Sequence, residues 1–269
     1  MTALAPTAPA PASAHVRTAH RLTFGHLLRS EAIKLVSLRS TWWSLSIAAA
    51  LTVGIAWMFA FATQDGAVSI TPVNVILLPT QFTMLVAGIL GAIAVTGEYS
   101  TGMIRSTLTA EPRRGRVLAA KALVVGLLVA ASTALTYAIA VVVTAPWMPT
   151  QIDWADAAQS SIPLAFGVLS MAVFALIGVG FGFIVRNGAG AIAATVGVLF
   201  ILPIVLPMFS MAGESWQWLV SLTDYLPMPA AADLTAPASE RIVPALLALG
   251  SWAAGLLVLG WVTLRGRDA

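Results

Sequence analysis

The side chains that could do chemistry are gathered in two short stretches of this 269-residue chain. One stretch holds Glu31, Lys34 and Arg39, and the other runs from Glu98 to Arg116. Acidic and basic side chains that lie a few residues apart form charge-assisted hydrogen bonds, which can join helices or whole proteins. Catalysis fits these stretches less well, because all three histidines precede the first long apolar run and the chain has no cysteine.

Other catalytic and ligand-binding patterns are missing from the sequence. Without cysteine, disulfides, thiolate metal sites and cysteine nucleophiles are excluded. No Ser–His pair, aspartate pair or zinc site of an intramembrane protease can be assembled, and no G-x-x-x-x-G-K-[ST] phosphate loop occurs. Ion-coupled carriers usually need ionisable groups inside the membrane, and the apolar runs contain none. We therefore expect no enzyme, no metal and no bound cofactor, which leaves a scaffold, a channel or a permease driven by another protein.

The composition predicts an integral membrane protein. Hydrophobic residues make up 59% of the chain and charged residues 9%, with a mean hydropathy of +0.90, whereas soluble domains carry about 25% charged residues. Six apolar stretches are each long enough to cross the hydrocarbon core, which needs about 20 helical residues. The predicted fold is all-α, with transmembrane helices at about 41–63, 75–96, 122–147, 162–185, 189–212 and 242–264.

Lysine and arginine set the predicted orientation. With the N-terminus inside, 13 of the 14 basic residues fall on the cytoplasmic side and seven of the 11 acidic residues fall outside. Because cytoplasmic loops are enriched in basic residues, both termini are predicted to be cytoplasmic. The same rule accounts for the basic pI near 9.8 without a nucleic-acid partner.

The N-terminal region divides into two parts before the first apolar stretch. Residues 1–14 are uncharged and rich in Ala, Pro and Thr, which favours a disordered tail. Residues 15–40 are predicted to form an amphipathic helix on the inner membrane surface, with apolar residues on one face. Glu31 falls within that face, which leaves two interpretations: a local pair with Lys34, or a contact with a partner protein. Residues 265–269 are predicted to be a short cytoplasmic tail.

The polar loop between the second and third apolar stretches is the most informative segment. Gly97 and Gly102 permit a turn or a close approach, and Glu98 and Arg105 could form charge-assisted contacts. Pro112 is expected at or before the start of the next helix. A rigid helical loop at the membrane surface could act as a lever on both neighbouring spans. Three further arginines belong either to this lever or to simple cytoplasmic anchoring: Arg113, Arg114 and Arg116.

Two motifs resemble a known family. The pattern Gly-Glu-Tyr-x-x-Gly-x-Ile-Arg at 97–105 is similar to the motif after the second helix of ABC exporter permeases of the type 2 class. The stretch from Ser30 to Trp43 resembles the N-terminal segment of such permeases, chiefly from actinobacteria. The resemblance covers nearly the whole chain, because the six-span layout also matches.

That resemblance implies a set of partners. Two permease chains, identical or paralogous, would join two separate ATPase subunits, which would bind the ATP and Mg²⁺. The complex would export a hydrophobic or amphipathic substrate across a bacterial plasma membrane by alternating access. By position, Glu98, Tyr99, Gly102 and Arg105 would belong to the ATPase-coupling loop, followed by Arg113, Arg114 and Arg116. The surface helix, with Glu31, Lys34 and Arg39, would pack nearby.

Several features stay open at this stage. Pro79, Pro203 and Pro207 predict kinks in the second and fifth spans. The outer loop 213–241 predicts a re-entrant or an ordinary surface helix. The spacing of Gly178 and Gly182 favours close helix packing, most often within one chain. The alternative functions are a membrane scaffold or immunity protein, and a membrane enzyme that uses Glu98 or Asp224.

Overall fold

The computed structural model describes residues 23–64, 70–237 and 239–266, and the regular elements within these ranges are all helical. Predictions for residues 1–22, and for the last three residues of the tail, lie outside the described residues. The α-helices are α1 Phe24–Ser37, α2 Arg39–Ala62, α3 Pro72–Leu77, α4 Thr80–Ser100, α5 Met103–Ala110, α6 Arg114–Thr144, α7 Ser161–Val185, α8 Gly188–Val196, α9 Leu202–Met208, α10 Gln217–Leu222, α11 Pro227–Thr235 and α12 Ile242–Gly266.

The predicted all-α membrane fold is confirmed. Six helical stretches in the described part of the chain are long and apolar enough to cross a bilayer: Arg39–Ala62, Pro72–Ser100, Arg114–Trp147, Ser161–Val185, Gly188–Ala212 and Ile242–Gly266. The chain is a multi-pass membrane protein. Little of the first and fifth spans is buried within the bundle, so lipid or a second chain must cover the rest.

The second and fourth spans form the centre of the bundle, and glycines make their contact close. A Cβ added to Gly178 of α7 would collide with the Gly88 carbonyl of α4, and one added to Gly91 would collide with the Ala175 carbonyl. Gly182 similarly lies against Val95. The small-residue spacing therefore packs helices within this chain, as the sequence favoured, and lets two backbones approach each other.

Substituting Gly178→Ala is expected to lower the free energy of unfolding by about 1–3 kcal/mol, because the added methyl group must push two backbones apart. The matched control is Gly250→Ala in α12, where a Cβ would meet no atom within 4 Å. Thermal unfolding of the two purified variants in one detergent checks this. Equal melting temperatures would contradict the close α4–α7 contact.

Proline interrupts the second and fifth spans where the sequence predicted kinks. Leu78 and Pro79 separate α3 from α4. In the fifth span, a π-helical turn at Gly197–Ile201 stands between α8 and α9, just before Pro203. Because proline has no N–H to donate, the wider turn accommodates the missing hydrogen bond.

The segment between the fifth and sixth spans returns into the bundle. The indole N–H of Trp252 donates to the Tyr225 carbonyl at 2.9 Å. Trp252 lies ten residues into α12, about 15 Å along its axis. After Tyr225, α11 buries Ala230 and Leu234 in the main core. This depth favours the re-entrant interpretation over an ordinary surface helix.

Candidate functional site

Four helices meet at the end of the bundle that carries α5. Thr23 caps the N-terminus of α1: its hydroxyl oxygen accepts a hydrogen bond from the backbone N–H of His26 at 3.4 Å. α1 then turns Leu27, Glu31 and Leu35 toward the other helices, a spacing of one residue per turn. One acidic side chain thus lies in the middle of the buried face of α1, between two leucines.

The predicted loop helix between the second and third spans is present as α5. Gly102 has φ +72°, a left-handed conformation that only glycine adopts readily, and it separates α4 from α5. Ile104 is buried and fixes α5 to the bundle, while Arg105 and Ser106 are exposed. Pro112 stands two residues before α6, as predicted.

Glu31, Lys34, Glu98 and Lys121 form a closed cycle of ion pairs, which we call the charge ring. The carboxylate oxygens of Glu31 contact the ammonium groups of Lys34 and Lys121, each at 2.6 Å. One oxygen of Glu98 contacts the same two ammonium groups, each at 2.8 Å. Every member of the ring therefore lies between two groups of opposite charge.

The charge ring is almost completely removed from solvent. The side chain of Glu31 is 0% exposed, Lys121 is 2%, Glu98 is 8% and Lys34 is 24%. Isolated charges would be very costly at these positions, but the two positive and two negative charges compensate each other. The second oxygen of Glu98 is buried without a hydrogen bond in the described part of the chain, so Glu98 is the least satisfied member.

The charge ring joins three helices, and a hydrogen bond connects it to a fourth. Glu31 and Lys34 belong to α1, Glu98 to α4 and Lys121 to α6. The Lys34 ammonium also donates to the Thr107 hydroxyl of α5 at 3.2 Å. The Lys121 ammonium donates to the Ala94 carbonyl of α4 at 3.3 Å. These contacts therefore connect α1 and α5 to the second and third spans.

Lys34 stays charged across the physiological pH range. Burial alone lowers the pKa of Lys34, but the hydrogen bonds and negative charges of Glu31 and Glu98 outweigh burial and raise that pKa above 10.5. Because the folded-state value is raised, the stabilisation from Lys34 is fully present below the unfolded pKa. It is lost only as the pH rises through the folded-state pKa.

Other predicted site residues stabilise the same end of the bundle. The Arg186 guanidinium lies over the Tyr99 ring, 5.4 Å from its centroid, and donates to the Thr263 carbonyl at 2.7 Å. Arg114 donates to the Leu264 carbonyl. The two arginines thus satisfy carbonyls in the last turn of α12, where positive charge also favours the helix dipole. The side chain of Arg114 is therefore used for a contact within this chain.

The remaining predicted residues lie at the surface. Arg39, Arg105 and Arg113 are exposed, and Arg116 lies 3.8 Å from the buried carboxylate of Glu111. The charge-assisted contacts of Glu98 are with the two lysines of this chain, whereas Arg105 is exposed.

For Glu31, the structure contains the local pair with Lys34 that one interpretation required. Its carboxylate is completely covered by this chain. A partner protein could touch it only after the charge ring had opened.

Lys121 is the member of the charge ring that the sequence analysis missed. The third span was predicted to begin at residue 122, which left Lys121 in the loop, but α6 begins at Arg114 and takes Lys121 inside the bundle. Two sequence signals point to it. Lys34 and Lys121 are the only two lysines among the 14 basic residues of the sequence. Glu31 lies on an apolar face, where a buried carboxylate requires a positively charged partner.

A surface cleft of about 330 Å³ lies between α1 and α5, directly above the charge ring. Its walls include Ser30 and Lys34 from α1, and Met103, Ser106 and Thr107 from α5. The cleft can accept a side chain or a short segment of a partner protein. Among the described residues, no cluster of histidine and acidic side chains is arranged to hold a metal ion.

No protein-family model matches this chain, and no curated protein matches it either. The functional argument therefore depends on the geometry of this end of the bundle and on the two sequence motifs.

Proposed function

We propose that this chain is the membrane-spanning subunit of an ATP-driven exporter of the ABC type. A second permease chain and two separate ATPase subunits complete the complex, and ATP and Mg²⁺ bind to the ATPases. The observation that carries the proposal is the charge ring, because it connects a short surface helix to two membrane spans through buried ion pairs.

The surface of α5 is suited to a partner protein. Ile104 faces the bundle, while Arg105, Ser106 and Thr109 face outward beside the cleft. An ATPase that held this surface would move α5 when its two subunits closed. The contact from Thr107 to Lys34 would pass the movement to Glu98 and Lys121. The second and third spans would then open the cargo path to the other side.

We further propose that this end of the bundle faces the cytoplasm of a bacterial cell. Arg105, Arg113 and Arg116 lie here with Arg186 and Arg265, in agreement with the distribution of basic residues. The spans offer mostly apolar surface to a cargo, which favours a hydrophobic or amphipathic molecule such as a lipid, drug or peptide.

Affinity purification from native membranes in a mild detergent tests the proposal. A stoichiometric partner with a phosphate-binding loop is expected, because an obligate subunit interface survives purification. Adding ATP and Mg²⁺ to the purified complex should then give phosphate release. A chain that purifies alone, under conditions that preserve other membrane complexes, would refute the exporter and favour a scaffold or immunity protein.

The variant Arg105→Glu locates the ATPase contact. Reversing this exposed charge on α5 is expected to reduce the recovered ATPase about tenfold or more, since interfacial like-charge contacts cost several kcal/mol. Glu214→Arg is the matched control, because it reverses one exposed charge at the other end of the bundle and should leave the partner bound. Equal recovery with both variants would place the contact elsewhere than α5.

A further inference from the structure

A second cavity lies within the bundle, well away from the charge ring. It has a volume of about 290 Å³ and is lined by residues of α3, the start of α4, the middle of α7 and the helix α11. Thr80, in its wall, precedes Glu98 by 18 residues of α4, about 27 Å along the helix axis. The cavity therefore belongs to a different site, at the lower end of the usual size range for ligand pockets.

Two side-chain amides in the wall have no partner. Asn74 and Gln81 line the cavity, and neither side chain forms a hydrogen bond or ion pair within the described part of the chain. The neighbouring hydroxyls are already used, because Thr80 pairs with Tyr137 at 2.9 Å and Thr235 donates to the Ala231 carbonyl at 2.9 Å. Asn74 is half-buried and Gln81 is exposed, so both amides can form hydrogen bonds with the polar end of a bound molecule.

The rest of the wall is apolar and adaptable. Met84, Phe174 and Met228 line it, and methionine side chains adjust to ligands of different shape. No aspartate, glutamate, lysine, arginine or histidine is present among the lining residues that the structure describes. Gln81 is exposed, so the cavity opens to the surface of the bundle.

We propose that this cavity binds an uncharged amphiphile, with its hydrogen-bonding end at Asn74 and Gln81 and its apolar end between Met84, Phe174 and Met228. We expect the polar end to be uncharged, because no charged side chain among the described lining residues would attract a charged head group. The site is formed by one chain and needs no ATPase. Its test therefore stays separate from the test of the exporter proposal.

The lack of native cysteine allows a direct measurement. Met228→Cys places one thiol in the cavity wall, and Met211→Cys places one on the surface, where Met211 is 88% exposed. Each purified chain is labelled with N-ethylmaleimide in the presence of 1-decanoylglycerol, decanoate or decyltrimethylammonium. We expect 1-decanoylglycerol to slow labelling of Met228→Cys about tenfold at ten times its dissociation constant. Labelling of Met211→Cys should not change.

Two results would overturn the proposal. Equal protection by all three probes, or of both cysteines, would show partition into the detergent layer instead of a site. No protection by 1-decanoylglycerol would show that the cavity does not bind this class of molecule.

A second pair of variants tests the polar end. Adding Gln81→Leu to Met228→Cys should raise the half-protecting concentration about threefold to tenfold, the usual effect of one lost hydrogen bond. Gln64→Leu removes an exposed amide outside the cavity and should have no effect. Unchanged protection with Gln81→Leu would refute the assigned polar end and with it the proposal.

Discussion

Replacing Lys121 by methionine is expected to lower the free energy of unfolding by about 3–5 kcal/mol, the usual cost of removing one partner from a buried ion pair. Methionine has a similar length and fits an apolar site, so the loss comes from electrostatics rather than from an empty space. Glu31 is 0% exposed and would keep only Lys34, while Glu98 would share the same remaining ammonium group. Two buried carboxylates would then compete for one positive charge.

Thermal unfolding of the purified chain in detergent measures this loss. A fall in melting temperature of roughly 10 °C corresponds to the expected cost for a chain of this size. The matched control is Arg105→Met, which removes an exposed positive charge and should change stability by less than about 0.5 kcal/mol. Adding Glu31→Gln to Lys121→Met should restore part of the loss, because fewer buried charges stay unpaired. If Lys121→Met and Arg105→Met have the same melting temperature, the charge ring does not stabilise the fold.

Exchanging Glu98 and Lys121 in one chain is expected to be more damaging than the single substitution. In a simple ion pair, exchange of the two residues preserves the attraction. In the charge ring each residue contacts two opposite charges. The double variant Glu98→Lys/Lys121→Glu would place a lysine beside Lys34 and a glutamate beside Glu31. We expect severe loss of folded protein from the membrane, because buried like charges repel strongly.

A fourfold inversion separates this explanation from simple intolerance of change. Glu31→Lys, Lys34→Glu, Glu98→Lys and Lys121→Glu together restore the alternation of charge around the ring. The inverted chain should recover more folded protein than the twofold exchange, as measured by monodisperse yield after extraction. The reverse order of yields would contradict the cyclic arrangement and favour two independent pairs.

Local sequence patterns were sufficient to predict the membrane fold and most of the helix positions. A transmembrane helix must satisfy its own backbone and present about 20 apolar residues to lipid, so each span is visible as a local pattern. The predicted fourth span, 162–185, differs by one residue from the helix Ser161–Val185. Gly102, with its left-handed backbone, similarly marked the beginning of α5. The spacing of Gly178 and Gly182 also predicted the close helix contact that they make.

The pairing of the charged side chains could be seen only in the packed helices. Glu31 and Lys121 are separated by 90 residues, and Lys34 and Glu98 by 64, so no local pattern joins them. Hydropathy treats a lysine at the end of an apolar run as a loop residue, although neighbouring helices can cover and neutralise it. The depth of α11 was likewise open, because its apolar residues suit both a surface and an interior position. The packing of helices around Glu31 and Tyr225 shows the partners of Glu31 and the contact of α11 with the core, since burial and pairing depend on neighbours that are distant in the sequence.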